Sequence, residues 1–166
     1  ILLVGPMGSG KTSVGKLLAN DLEKRFLDTD EQVMKKTGVD ISYIFDMEGE
    51  EGFRKRERLA LKECLNDNNL VLSTGGGVVL SQDNRDLLTA RGTVVYLQAS
   101  IDSQVERTAA TNNRPLLQNK DPEETLEELM LTRAPLYEEI ADITIITDNK
   151  SLKEMSKEIQ RAINEH

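Results

Sequence analysis

Cysteine, histidine, tryptophan and long apolar runs are all scarce in this chain, and each shortage removes a class of function. Of 166 residues, one is cysteine, one is histidine, none is tryptophan, and 4% are aromatic. Cys64 alone cannot build a disulfide framework, which suits a reducing compartment and an expected cytoplasmic location. His166 is terminal and is assigned neither a catalytic role nor a metal. No apolar run approaches a membrane span, so no membrane partner is expected. Basic residues are the minority: 21 Lys and Arg stand against 29 Asp and Glu, a formal net charge of −8. A nucleic-acid backbone is therefore not an expected partner. The chain opens inside its first apolar run without an initiator methionine, so a few residues are expected upstream. The length fits one α/β domain over residues 1–166 with a sizeable core.

What is present begins with Gly5-Pro6-Met7-Gly8-Ser9-Gly10-Lys11-Thr12, a complete phosphate-binding loop. Before it, Ile1-Leu2-Leu3-Val4 reads as a buried strand. After it, Ser13 to Glu23 reads as a helix with Val14, Leu17, Leu18 and Leu22 on one face. Strand, loop and helix form the context this motif requires. Its glycines let backbone N–H groups close around phosphates, and the helix N-terminus adds its positive dipole end. Lys11 would neutralise phosphate charge, and the Thr12 hydroxyl is placed to ligate Mg²⁺. In a compact acidic chain, the loop points to a small-molecule kinase more than to a translocase.

Further along, short apolar runs alternate with amphipathic helices. Strands are expected at Arg25–Leu27, Leu70–Leu72, Thr93–Leu97 and Ile143–Ile146. Helices are expected at about Asp30–Lys36, ended by Gly38, then Ile41–Phe45, Glu50–Leu65, a segment capped by Ser81 and stopped by Gly92, Ile101–Ala110 and Leu152–Ile163. Strands without alternation, separated by helices, argue for a parallel sheet covered on both faces. Residues 111–122 break this rhythm. The stretch is polar, holds two prolines of four, and carries Arg114, which favours a mobile lid.

A phosphate-binding loop needs an acid for its metal, usually at the end of a neighbouring strand. The third strand ends in Ser73-Thr74 without one, whereas the second ends in Asp28-Thr29-Asp30. In extended geometry both aspartates face the same side, one for the metal shell and one for an attacking hydroxyl. A helix-capping aspartate with a solvated neighbour is the plainer alternative. Three consecutive glycines, Gly75-Gly76-Gly77, suit a wall where backbone approaches a ligand closely. Arg54 and Glu57 share a helix face near Phe53, and Arg133 stands just before a break expected at Pro135. Either arginine could pair with a carboxylate. Tyr43, Tyr96, Tyr137 and Cys64 read as packing residues.

Together these motifs resemble the shikimate kinase family, in its bacterial form. The resemblance is carried by Gly5–Thr12, Phe26-Leu27-Asp28-Thr29-Asp30, Phe53-Arg54-Lys55-Arg56-Glu57, Gly75-Gly76-Gly77, Asn113-Arg114-Pro115-Leu116-Leu117 and Arg133-Ala134-Pro135-Leu136-Tyr137-Glu138-Glu139. They occur in family order and span nearly the whole chain. The resemblance implies a P-loop NTPase fold like that of nucleoside monophosphate kinases, with five parallel strands in the order 2-3-1-4-5. It also implies transfer of the ATP γ-phosphate to the 3-hydroxyl of shikimate. Asp30 would then be the candidate base and Lys11 and Arg114 would act on the transferring phosphate. Arg54 and Arg133 would bind the carboxylate, Glu57 would orient Arg54, and Gly75, Gly76 and Gly77 would offer backbone contacts. Asp28 and Thr12 would hold Mg²⁺. Gly8, Ser9, Gly10, Lys11, Thr12, Ser13, Arg107, Arg114 and Lys150 would bind ATP. The acceptor region would span about residues 28–58 and the lid about 111–122, and one small domain with such a lid is expected to be a monomer. Thr12-Ser13 exchanges the family's more frequent serine-then-threonine order.

Two other readings share the loop. Another small-metabolite kinase, such as gluconate kinase, fits less well with Asp28-Thr29-Asp30 and the triple glycine. A switch GTPase needs Asn-Lys-x-Asp after a late strand, and Asn149-Lys150-Ser151-Leu152 has leucine at the acid's place.

Overall fold

The computed structural model of the chain describes residues 1–109 and 121–166. Among them, a five-stranded sheet runs in the order β2-β3-β1-β4-β5, with every neighbouring pair parallel. The strands are β1 (Leu2–Val4), β2 (Arg25–Asp28), β3 (Leu70–Ser73), β4 (Val94–Gln98) and β5 (Ile143–Ile146). The helices are α1 (Lys11–Asp21), α2 (Thr29–Thr37), α3 (Ile41–Cys64), α4 (Gln82–Arg91), α5 (Ile101–Thr108), α6 (Pro122–Ile140) and α7 (Leu152–Glu165). The expected strand order and the alternation of strands with helices are therefore present.

Strand residues of odd and even number feed opposite layers, as the pleat dictates. Leu2, Val4, Leu72, Val94 and Tyr96 pack with Leu61 of α3, Leu88 of α4 and Tyr137 of α6. Leu3, Val71, Val95, Leu97 and Ile145 pack with Val14 and Leu18 of α1 and with Met155 and Ile159 of α7. A smaller cluster of Val33, Ile41, Ile44, Phe53 and Ala60 joins α2 to α3. Register then sets the site. Leu3 and Asp28 both pair with Ser73, so β1, β2 and β3 end at one edge.

Three local expectations change. The helices expected at 41–45 and 50–65 run together as α3, interrupted at Gly49 (φ 73°, ψ −180°). Positive φ with extended ψ is a combination essentially reserved for glycine, which enters it without Cβ strain. Across the break, Arg56 donates to both carboxylate oxygens of Glu48 at 2.7 Å. Gly92 ends α4 in extended backbone (φ −176°), with no left-handed cap. Pro135 does not break its helix, and α6 continues from Pro122 to Ile140. The hydrogen bond that proline forfeits is the one to Leu131. That residue is 80% exposed, so water can serve the freed carbonyl. Asp121 caps α6 by accepting from the Glu123 N–H. Arg114 and residues 111–120 of the expected lid lie outside the described residues. Among the described residues, no helix is long and apolar enough to cross a membrane.

This layering sets a contrast in stability. Ile159→Ala empties a fully buried site between α7 and the sheet and should cost about 2–5 kcal/mol. Leu131→Ala on the exposed face should stay within about 0.5 kcal/mol. Urea unfolding of both variants checks this, and equal losses would contradict the assignment of the core.

Candidate active site: two joined cavities

Gly5–Thr12 links β1 to α1 through a narrow gap. A Cβ on Gly5 would lie 2.5 Å from the Leu97 carbonyl oxygen, so the loop can pass β4 only as bare backbone. Lys11 Nζ donates to the Gly5 and Pro6 carbonyls at 2.7 and 2.9 Å, and the loop curls around its ammonium. Arg107 ties the loop to the end of β5. Its Nη1 donates to Gly8 O at 2.8 Å and to Thr147 Oγ1 at 3.2 Å. The N-cap of α1 is Gly10, which brings no capping side chain, so the first-turn N–H groups remain open to an anion.

Above this helix end lies a cavity of about 520 Å³. Gly8, Gly10, Lys11, Thr12, Ser13, Arg107 and Lys150 line it, with Leu152 and Met155 of α7. Ser9 is fully buried within the loop. Lys150 reaches the cavity while donating to Glu158 Oε2 at 2.7 Å.

Asp28 divides its carboxylate between two tasks. Oδ1 caps α2, accepting from the N–H groups of Asp30 at 2.9 Å and Glu31 at 3.2 Å. Oδ2 accepts from Thr12 Oγ1 at 2.9 Å. The capping role and a metal-facing role are thus compatible in one side chain. Among the described residues, no group of three or more His, Cys, Asp or Glu forms a cage for a metal. A hydroxyl and one carboxylate oxygen side by side fit Mg²⁺, which binds through few protein oxygens plus phosphates and water.

A second cavity of about 540 Å³ adjoins the first. The two share Met7, Thr12, Asp28, Asp30, Gly75 and Gly76 as a common wall. Asp30 is helical, not extended as expected. It faces both cavities because the Asp28 cap folds the chain back at that point. Arg54, Glu57, Arg133 and Gly77 bring charge and backbone to the second cavity, and Met34, Ile41, Phe45 and Phe53 form an apolar side. The Phe45 and Phe53 rings stand 5.0 Å apart across the Gly49 break.

Electrostatics in this second cavity are strongly built. Arg54 donates to Glu57 Oε1 at 3.0 Å and to Glu50 Oε1 at 3.1 Å. Burial works against the Arg54 charge, but Glu57 and Glu50 more than offset it and raise its pKa. Arg133 is buried, and burial lowers its pKa, with Arg54 adding repulsion. A guanidinium starts so high that it stays charged. Glu57 is 1% exposed, and burial pushes its pKa up against the pull of Arg54 and Arg133.

The three glycines are explained by their neighbours. A Cβ on Gly75 would lie 2.8 Å from Glu57 Oε2 and 2.9 Å from Asp30 Oδ1. A Cβ on Gly77 would collide with the Arg54 guanidinium, and one on Gly76 would sit 3.4 Å from Arg133 Nη1. Met7, Met34, Phe45, Glu50 and Tyr137 were not anticipated. Two had a signal: Met34 lies one helical turn beyond Asp30, and Tyr137 one turn beyond Arg133. Arg114 cannot be placed, being outside the described residues.

The chain is similar to known proteins along nearly its whole length. The family model described as shikimate kinase matches residues 7–164. A shikimate kinase of Histophilus somni is 52% identical over 160 residues, covering 96% of this chain and 91% of the relative. The solved shikimate kinase from Acinetobacter baumannii in complex with shikimate superposes with a TM-score of 0.97 at 45% identity, covering 99% of this chain and 92% of that one. A gluconokinase from Sinorhizobium meliloti gives a TM-score of 0.66 at 19% identity, over 99% of this chain and 91% of that one. That likeness concerns the fold alone.

The buried Glu57 also gives the molecule a pH signature. With its pKa raised above the ordinary 4.5, the folded protein holds this proton more tightly than the unfolded chain. The resulting stabilisation is full below that ordinary value and is lost as pH rises through the folded one. The stability of the unsubstituted protein minus that of Glu57→Gln should therefore fall as pH rises from the acid side. Urea titrations at stepped pH measure it, and a difference that grows with pH would refute the assigned direction.

Proposed function

The chain belongs to the shikimate kinase family, and from that premise we propose how its two cavities work together. It is an ATP-dependent phosphotransferase acting on shikimate, moving the γ-phosphate to the 3-hydroxyl and yielding shikimate 3-phosphate and ADP. The observation that carries this reading is the shared wall, where a phosphate-binding loop and an arginine-lined cavity meet across Asp28, Asp30 and Gly76.

In this reading ATP occupies the first cavity. The backbone from Gly8 to Gly10 and the first turn of α1, with Thr12 and Ser13, cradle its phosphates. The Lys11 ammonium, already against the loop backbone, balances their charge, while Arg107 and Lys150 border the adenine. Thr12 and Asp28 would hold Mg²⁺, which when bound supplies charge neutralisation of the phosphate oxygens.

Shikimate occupies the second cavity. Its carboxylate meets Arg54 and Arg133, with Glu57 and Glu50 holding Arg54 in place, while the ring lies against Phe45, Phe53 and Met34. Gly75, Gly76 and Gly77 offer backbone at van der Waals distance. Asp30 accepts a hydrogen bond from the 3-hydroxyl and receives its proton as the new O–P bond forms. A loose transition state asks mainly for alignment and charge balance, so Asp30 can act as an orienting acceptor without being a strong base. Arg114 completes the set from a lid over residues 111–122, excluding water and limiting wasteful hydrolysis.

The same reading covers organisation. One kinase domain spans residues 1–166, with the acceptor region near 28–58. It works as a cytoplasmic monomer, and its net charge of −8 disfavours nucleic acid.

A substrate panel of shikimate, gluconate and nucleoside monophosphates with ATP and Mg²⁺ should show turnover on shikimate alone. Gluconate turnover of equal rate would overturn the assignment. In the same coupled ADP assay Lys11→Ala should show no turnover, and normal activity would remove the loop from the mechanism.

Arg133→Ala should weaken shikimate binding by about 2–5 kcal/mol while leaving ADP affinity in place. Calorimetry measures both, and an unchanged shikimate affinity would contradict the carboxylate role.

A further inference from the structure

Tyr137 is fully buried, and its ring packs 5.1 Å from that of Tyr96. Phenylalanine would satisfy that packing. A hydroxyl in such a place is costly unless it is bonded, so its bond is the feature to explain. The hydroxyl donates to the Gly76 carbonyl oxygen. Arg133, one turn earlier on α6, interacts with the same phenol, and its Nη1 lies 3.4 Å from where a Gly76 Cβ would stand. One hydroxyl therefore bonds the glycine of the second cavity against which Arg133 also packs.

Three other polar ends of the glycine run have partners. Gly75 N–H donates to Thr29 Oγ1 at 3.0 Å, and the Gly75 and Gly77 carbonyls accept from Val78 and Leu80 N–H groups, each at 3.1 Å. In a trans peptide, C=O and N–H point in opposite directions, and among the described residues no peptide is cis. Holding Gly76 O against the α6 core therefore turns the Gly77 N–H away from that core and fixes the peptide that Gly76 and Gly77 present in the wall of the second cavity.

We propose that Tyr137 is a positioning residue for the acceptor: its hydroxyl sets Arg133 and the Gly76–Gly77 peptide in one fixed arrangement and thereby governs shikimate binding without contacting it. This rests on the reading of the second cavity as the shikimate site. A purely structural tyrosine would affect folding and leave the two substrates indistinguishable. A positioning tyrosine acts on one of them.

The test is calorimetry with shikimate and with ADP, alongside steady-state kinetics, on Tyr137→Phe and on Leu88→Ala, a buried residue of the same core cluster. Tyr137→Phe should raise the shikimate Kd and KM about tenfold, with the ADP Kd held within about twofold and kcat within about threefold. Leu88→Ala should lower the melting temperature and leave both affinities in place. Placing 4-aminophenylalanine at position 137 restores a donor and should recover shikimate affinity. Should Tyr137→Phe not fold, 4-methylphenylalanine at that position fills the hydroxyl's volume without donating and should show the same tenfold loss. An unchanged shikimate Kd in the donor-free variant, or an equal loss for ADP, overturns the proposal. Failure of the unsubstituted protein to bind shikimate would instead overturn the functional reading.

Discussion

One carboxylate holds the two halves of the cleft in register. Asp28 sits where β2 ends, its Oδ1 closing the first turn of α2 and its Oδ2 taking the hydroxyl of Thr12. The cap fixes the side-chain rotamer, so the oxygen left over can point only towards α1. Without this division, α2 would start elsewhere, and Asp30 and Met34, which ride on it, would leave the second cavity. The sheet supplies the other half of the constraint: pairing of Asp28 with Ser73 and of Leu3 with Ser73 brings three strand ends to one edge.

Across that edge the two cavities differ in how they handle charge. The first relies on backbone N–H groups, one helix end and a lysine held by its own loop. The second uses guanidinium groups buried beside a carboxylate that burial itself disfavours. Arg54 is stabilised by two glutamates, whereas Arg133 is less compensated, because burial and Arg54 both act against its charge. An anionic ligand would relieve that imbalance. Two guanidinium groups beside an apolar side would suit a small ring acid better than a neutral polyol.

Contiguous features were legible in the sequence: the phosphate loop, the short parallel strands, the Ser81 cap and the shared face of Arg54 and Glu57 all depend on neighbours in the chain. Features set by packing were not. Phe45 reaches the second cavity because Gly49 bends α3, and Met7 joins the shared wall because the loop passes beside Gly76. Pro135 misled because a proline's effect depends on where its lost partner faces, and Leu131 faces water. Tyr137 looked like packing because hydropathy does not report which carbonyl a buried hydroxyl meets. The aspartate pair was found for a partly mistaken reason, since Asp30 turns inward through a helix start and not along a strand.

Gly75 carries a consequence for how such a site can change over generations. The volume of its missing methyl is claimed by Asp30 and Glu57 together, two carboxylates from separate helices. A side chain there would press on both carboxylates at once, so a change at position 75 is felt on α2 and α3 together, and any later change at Asp30 or Glu57 would be read against it.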